Sequence, residues 1–308
     1  MNFFKPKFWD KNKTSFLSIL LFPFSLLIIA INFLKEHLTK TYKFSIPVIC
    51  VGNIYLGGTG KTPLCIEIFS ILKSLKMKPA FVKKKYNSYQ DETKLLNQIG
   101  PVYESHSRVD AIKNAIENNA NIVVLDDGFQ DFSVKKNFSI ICFNSKQWIG
   151  NGFTIPSGPL RETLYALKRA SCIIINGKKN IDIEKKIFNK NPEVKIFYVK
   201  YNPQNINEYI NKKVIAFAGI GNPDNFFELL NDNNINVIEK IKYPDHYQYS
   251  EKELKDLLNK KQENIILLTT EKDYFRIPDV YKKDIKCVKI EIEIENKSQL
   301  IEEIKKII

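Results

Sequence analysis

Cysteine and histidine are scarce in this chain, and their scarcity excludes several chemistries. The five cysteines, at 50, 65, 142, 172 and 287, form no C-x-x-C pair and leave one over, so neither a disulfide framework nor a cysteine zinc site is indicated. Four of them stand in apolar strand-like runs, which reads as buried, reduced thiols in a cytosolic protein. Zinc-finger spacing and basic modules studded with aromatics are also missing. Nucleic acid therefore ranks below other polyanions as a partner, although 47 Lys+Arg against 34 Asp+Glu give a net charge of +13. The lysines are spread along the whole length, a balance that favours an anionic membrane surface or phosphorylated substrates. Of the three histidines, His37 and His106 lie in charged or polar surroundings, and His246 lies in the aromatic loop Tyr243-Pro244-Asp245-His246-Tyr247. A loop histidine is ordinarily plain surface, so by itself it is only a candidate.

Apolar stretches of membrane-crossing length are missing as well, except for one. Ser15 to Leu34 holds 20 residues without a charge, with Lys5, Lys7, Lys11 and Lys13 before it and Lys35, Lys40 and Lys43 after it. That length suffices to cross a bilayer core, although Pro23 and a few polar residues weaken the pattern. A cleaved signal peptide is disfavoured because no small-x-small site follows. A buried core helix and an interfacial helix remain, and lysines at both ends suit a helix embedded in one leaflet. The stretch is expected to associate with a membrane, by spanning it or by lying in its surface.

The chain is organised around residues 49–63, Ile-Cys-Val-Gly-Asn-Ile-Tyr-Leu-Gly-Gly-Thr-Gly-Lys-Thr-Pro. An apolar run of strand character feeds a glycine-rich turn, and Leu64, Ile68, Ile71, Leu72 and Leu75 then recur at helical spacing. Strand, glycine loop and helix form the context in which backbone N–H groups and a helix N-terminus cradle a polyphosphate. Tyr55, Leu56, Gly57, Gly58, Thr59, Gly60, Lys61 and Thr62 are the predicted nucleotide contacts. Lys61 is positioned to reach the β and γ phosphates, and the Thr62 hydroxyl to hold Mg²⁺. The usual spacing wants glycine where this chain has Tyr55.

Further along, Pro79 to Val82 reads as a second parallel strand that runs into the polar segment 83–92, Lys-Lys-Lys-Tyr-Asn-Ser-Tyr-Gln-Asp-Glu. A loop at a strand's C-terminal end is where open α/β sheets place ligands. Lys83 to Lys85 nevertheless read most simply as a solvated charge run. The apolar strand Asn121 to Leu125 ends in Asp126 and Asp127, the arrangement by which P-loop enzymes hold Mg²⁺ opposite the loop hydroxyl. A Gly/Pro-rich loop at 149–162 carries Arg161, a guanidinium fork suited to phosphate. A second α/β unit follows: strand Lys213 to Ala218, helix Asp224 to Asn231, a helix capped by Ser250 and Glu253, and strands Asn264 to Leu268 and Lys286 to Ile292.

Several stretches taken together resemble the tetraacyldisaccharide 4′-kinase family of lipid A biosynthesis. They are Gly52-Asn53 with Gly57 to Pro63, Asp126 to Gln130, Ile155 to Glu162, Phe217 to Pro223, Asp245-His246 and Thr269 to Asp273, and the likeness extends back to Phe8-Trp9 and Pro23-Phe24-Ser25. The resemblance implies transfer of the γ-phosphoryl group of ATP, with Mg²⁺, to the 4′-hydroxyl of a tetraacylated glucosamine disaccharide 1-phosphate. The setting it implies is the cytoplasmic face of the inner membrane, with no obligate protein partner. It also implies a P-loop domain and a smaller domain with the active site in the cleft between them. Asp91 corresponds to the family's general base, aided by the residue matching His246, with Lys61 also catalytic. Thr62, Asp126 and Asp127 would handle the metal, and Arg108, Arg161 and Glu162 would contact substrate or phosphate. The family's Ser-Arg-Gly-Tyr-Gly is replaced by Lys83 to Ser88, and its histidine after Phe-Gln by Asp131.

The expected fold is therefore α/β: a membrane-associated segment at 1–40, a P-loop parallel-sheet domain at 41–205 and a smaller α/β domain at 206–308. The competing reading is a membrane-tethered P-loop ATPase or GTPase switch acting on a protein partner. Asp91, His246 and the Pro156 to Glu162 loop favour the kinase, because a switch needs no acceptor pocket and no base.

Overall fold

The computed structural model describes residues 6–10, 14–85 and 90–308, with the side chains of Gln90 and Asp91 outside that description. Among the described residues the strands are β1 Val48–Gly52, β2 Pro79–Lys84, β3 Val102–Ser105, β4 Ile122–Asp126, β5 Phe138–Asn144, β6 Cys172–Asn176, β7 Lys195–Pro203, β8 Lys213–Ala218, β9 Asn236–Lys242, β10 Ile265–Thr270, β11 Ile285–Val288 and β12 Ile290–Ile294. The helices that matter below are α1 Phe16–Leu38, α2 Lys61–Ser74, α3 Gln90–Asn97, α4 Arg108–Glu117, α5 Ile181–Phe188, α6 Pro223–Asp232, α7 Glu251–Asn259 and α8 Glu271–Tyr274.

The chain divides into two compact units that are not consecutive in sequence. The larger comprises Lys5–Tyr86, Ile99–Lys200 and Ile292–Ile308, and the smaller contains Asn87–Gln98 and Tyr201–Glu291. In the larger unit an eight-stranded sheet has the order β12-β7-β6-β5-β1-β4-β2-β3. Central strands β1, β4 and β5 are buried at every residue, as befits parallel strands covered on both faces, which read as continuous apolar runs. β1 is flanked by β4 and β5 in parallel register, Cys50 facing Leu125 and Ser139. The order reverses here, so the loops after β1 and β4 open at a switch point, where such sheets bind ligands. The smaller unit has a four-stranded sheet in the order β11-β10-β8-β9, with parallel pairing throughout.

Three expectations need correction. The last three residues of the expected polar loop 83–92 open a helix, Gln90–Asn97, while Tyr86 to Tyr89 lie outside the described residues. Lys83 does not belong to a solvated run: it continues β2 into the interior and is 6% exposed. The single strand expected over 286–292 is two strands in different sheets, because Lys289 turns to exchange bonds with the 204–205 segment, its N–H donating to Asn205 Oδ1 and its carbonyl accepting from the Gln204 N–H.

α1 is a 23-residue helix, long and apolar enough to span a bilayer by length and composition. Phe16, Ile19, Leu20, Phe24, Leu27 and Phe33 on it are exposed. Its two serines and its asparagine are the docked residues. Ser18 and Ser25, seven apart, are fully buried, and Asn32 follows after another seven. Ser18 Oγ accepts from Asn151 Nδ2 at 3.0 Å, Ser25 Oγ donates to the Thr154 carbonyl at 2.8 Å, and Asn32 Nδ2 donates to the Arg161 carbonyl at 2.9 Å. The five cysteines are all free, and four are buried; desolvation pushes the Cys50 thiol up to about 11.

Candidate active site

α2 begins at Lys61 directly after a loop in which Gly57, Gly58 and Gly60 all have positive φ, with Gly60 at 84° as the N-cap. A side chain at Gly60 would be strained there, and glycine lets the backbone turn its N–H groups inward. Thr59 and Thr62 are buried, and Asn53 Nδ2 donates to Thr59 Oγ1 at 2.8 Å, bracing the loop from the end of β1. Tyr55 is fully buried and its phenol donates to Asp10 at 2.8 Å; burial and this carboxylate push the phenol's pKa up. Its ring thus packs into the domain, and only its backbone is available to a nucleotide, which explains why glycine is not needed at that place. Leu56 is exposed, its N–H bonded to the Pro159 carbonyl.

The end of β4 faces this loop. Asp127, with φ 55°, accepts from Arg161 Nη1 at 2.8 and 2.9 Å through its two oxygens, and Lys61 Nζ stands 3.8 Å away. Burial raises the Asp127 carboxyl, but Lys61 and Arg161 outweigh it and hold the group below its ordinary value. Asp126 is 2% exposed and pairs with Lys83 Nζ at 2.8 Å. The structure thus brings Lys61 and Arg161 to Asp127, with Asp126 and Lys83 paired next to it.

Arg108 and Glu162 are brought near the same loops but face protein groups. Arg108, 6% exposed, donates to Asp131 Oδ2 at 3.0 Å and to the Asp127 carbonyl at 2.8 Å, so it clamps the turn after β4. Glu162 accepts from Gln130 Nε2 at 2.9 Å and pairs with Arg169. The Arg169 guanidinium lies 4.6 Å from the Phe129 ring centroid and 4.8 Å from that of Phe132. Burial pushes the Glu162 carboxyl up, with Arg169 opposing it. Lys83, Asp131, Gln130 and Arg169 were missed as site-building residues. Lys83 had a usable signal in directly extending the apolar run Pro79 to Val82, and Gln130 and Asp131 in closing and following the Asp126 to Gln130 stretch.

Asp91 and His246 belong to the smaller unit. Asp91 is the second residue of α3, and its side chain is among those outside the description. His246 lies after β9 at φ 56°, its N–H bonded to the Gly219 carbonyl at 3.1 Å and to Asp245 Oδ1 at 3.0 Å.

The donors at the phosphate loop suit Mg²⁺. Among the described residues no cluster of three or more His, Cys, Asp or Glu is present. Mg²⁺ needs no such cage, since it is usually bound through one or two carboxylates, water and substrate phosphates. Thr62, Asp126 and Asp127 are hard oxygen donors, and both carboxylates already attract cations, Lys83 on one and Lys61 with Arg161 on the other.

A glycine loop with positive φ, a lysine at the helix start and paired acids at the neighbouring strand end define a P-loop protein built to hold a nucleoside triphosphate. The family pattern described as tetraacyldisaccharide-1-P 4′-kinase matches residues 17–308. The tetraacyldisaccharide 4′-kinase of Pelagibacter ubique (strain HTCC1062) is 41% identical across 96% of this chain and 95% of its own length. That of Rickettsia canadensis (strain McKiel) is 32% identical across 97% and 96%. The crystal structure of LpxK from Aquifex aeolicus in complex with ATP superposes with a TM-score of 0.73 at 25% identity, covering 94% of this chain and 99% of that one. The chain belongs to the tetraacyldisaccharide 4′-kinase family.

Proposed function

We infer that the protein is a lipid kinase that transfers the γ-phosphoryl group of ATP to the 4′-hydroxyl of a tetraacyldisaccharide 1-phosphate in lipid A biosynthesis. Family membership over nearly the whole chain supports the substrate. The observation that carries the chemistry is the convergence of Lys61 and Arg161 on Asp127 beside the glycine loop. Phosphoryl transfer asks chiefly for positioning and neutralisation of charge. Lys61 and the loop N–H groups would bind the β and γ phosphates, and Arg161, released from Asp127, would take a phosphate oxygen. Thr62, Asp126 and Asp127 would hold Mg²⁺, whose charge would add to the neutralisation of the phosphates. Arg108 and Glu162 would act by fixing the loops after β4 and around 155–162. Asp91 would accept the proton of the 4′-hydroxyl with His246 assisting, a contribution of about 10²–10⁴-fold.

The docked polar stripe of α1 supports a helix lying in the membrane surface. A spanning helix would have to pull Ser18, Ser25 and Asn32 from partners along about 21 Å of helix, at 1.5 Å per residue. The exposed apolar face and the net charge of +13 suit an anionic leaflet. ATP use supports the cytoplasmic side for that leaflet.

The test is transfer of label from γ-labelled ATP to the acylated disaccharide 1-phosphate in detergent micelles. Labelled lipid that requires Mg²⁺, Lys61 and Asp91 is the expected result. ATP hydrolysis without labelled lipid would replace the kinase by a nucleotide-driven switch.

A further inference from the structure

Lys272, on α8, stands between two groups of the smaller unit. Its Nζ lies 2.7 Å from Glu92 Oε1 on α3 and 3.5 Å from His246 Nε2. The side chains are only about one-fifth exposed, 22% for Lys272, 20% for Glu92 and 20% for His246, so the charges are partly withdrawn from water and held more tightly than a surface pair.

The lysine and the histidine hang from a single buried network. Asp273, fully buried, accepts from the Gly219 N–H at 3.1 Å, the Thr270 hydroxyl at 2.6 Å, the Tyr249 hydroxyl at 2.9 Å and Arg276 Nη1 at 2.8 Å. Arg276 Nη1 also donates to the Gly219 carbonyl at 2.7 Å, the same oxygen that accepts the His246 N–H. Lys272 precedes Asp273 in the chain, and His246 is held by Gly219. A non-glycine residue at φ 56° keeps that conformation only where its surroundings impose it. The network therefore sets both ends of the Lys272–His246 contact, while Glu92 ties in the first turn of α3, in which it directly follows Asp91.

We propose that Lys272 is the positioning residue of the proton-accepting group. One ammonium proton holds Glu92, and with it the turn that carries Asp91. Another is directed at His246 Nε2, 3.5 Å away, which fixes the ring's place beside that turn. This rests on the reading of Asp91 and His246 given above. It makes the Thr269 to Asp273 stretch part of the catalytic apparatus, acting through other residues and without touching the phosphates.

The experiment compares steady-state constants of the full-length enzyme for ATP and for the acylated disaccharide 1-phosphate. Lys272→Met is expected to lower kcat about 10²-fold, the scale of a catalytic group displaced by about 1 Å, with KM for ATP unchanged within about twofold. Lys272→Arg, which keeps both donors, should recover most of the loss. In the His246→Ala background Lys272→Met should cost less than about threefold, since residues acting as a unit are non-additive. Glu92→Gln removes the ion pair by another route and should lose kcat in the same way, which covers the case of a Lys272 variant that does not fold. Full additivity with His246→Ala, or a raised lipid KM with kcat kept, overturns the proposal. Asp91→Ala that turns over normally sinks the underlying base assignment and the proposal with it. Asp91→Ala that is slow beside Lys272→Met at full speed sinks the proposal alone.

Discussion

Lys83→Met should unfold the larger unit far more easily than any exposed lysine change would. Lys83 and Asp126 have side chains 8% and 1% exposed, and the ammonium lies 2.8 Å from the carboxylate. Removing one partner leaves a charge buried at the end of β4, an insult on the order of 3–5 kcal/mol. Replacing both partners with apolar side chains of similar volume, Lys83→Met with Asp126→Leu, should recover much of the loss, because a buried pair repays little beyond its own desolvation. At about 3 °C of melting temperature per kcal/mol for a unit of this size, the single variant should melt roughly 10 °C lower. The assay is built into the chain: its two tryptophans, Trp9 and Trp148, are each 9% exposed and both lie in the larger unit. Tryptophan fluorescence during urea unfolding therefore reports that unit. A single variant within about 1 kcal/mol of the unmodified protein would refute the reasoning, since Asp126 would then not depend on Lys83.

Other consequences are open to direct measurement. Lys61→Ala should lower turnover about 10³-fold, on the scale of losing a phosphate-neutralising cation, while circular dichroism stays unchanged; a loss below tenfold would remove Lys61 from the phosphates. Burial raises the Asp127 and Asp131 carboxyls, but Lys61 and Arg161 for the first, and Ser133 and Arg108 for the second, bring them below the ordinary value of 3.8. Folded-state values below unfolded ones mean stability that is fully present above pH 3.8 and lost as pH falls through the lower folded values. Acid unfolding of Asp131→Asn should accordingly be shallower, and an unchanged acid limb would contradict this. Phe24→Ser with Leu27→Ser on the exposed face of α1 should weaken binding to anionic vesicles about 10²-fold, from roughly 1.5 kcal/mol per side chain. Unaltered sedimentation with vesicles would argue against that face as the membrane contact.

The nucleotide site was legible because its signals are local. A buried parallel strand reads as an unbroken apolar run, a phosphate loop needs glycine at fixed offsets, and β4 announces itself by ending in Asp126-Asp127. What escaped depends on distant parts of the chain. α3 has only Leu95 and Leu96 as buried apolar residues among polar neighbours, so its helical period is faint in the sequence. Lys83 looks like its neighbours Lys84 and Lys85 until β4 places Asp126 beside it. β3 is four residues with partly exposed faces, too short for a period-two pattern. The strand expected over 286–292 is continuous in hydrophobicity, and only the bonds from Lys289 to the 204–205 segment divide it. Arg108 illustrates a different limit: its residue type suggested phosphate, yet burial and two backbone carbonyls within reach turned it toward the protein.

The seven-residue spacing of Ser18, Ser25 and Asn32 has a geometric meaning for catalysis. A helix anchored at three points along its length cannot pivot, and its last anchor is the carbonyl of Arg161, whose guanidinium grips Asp127. Were the opposite face of the helix seated in a leaflet, as proposed above, the phosphate loop would stand at a fixed height above the acyl chains. On the reading of α1 as a surface helix, these anchors would make the height of the phosphate loop above the leaflet a selector among headgroup hydroxyls, so that the rate would depend on leaflet thickness with no catalytic residue changed.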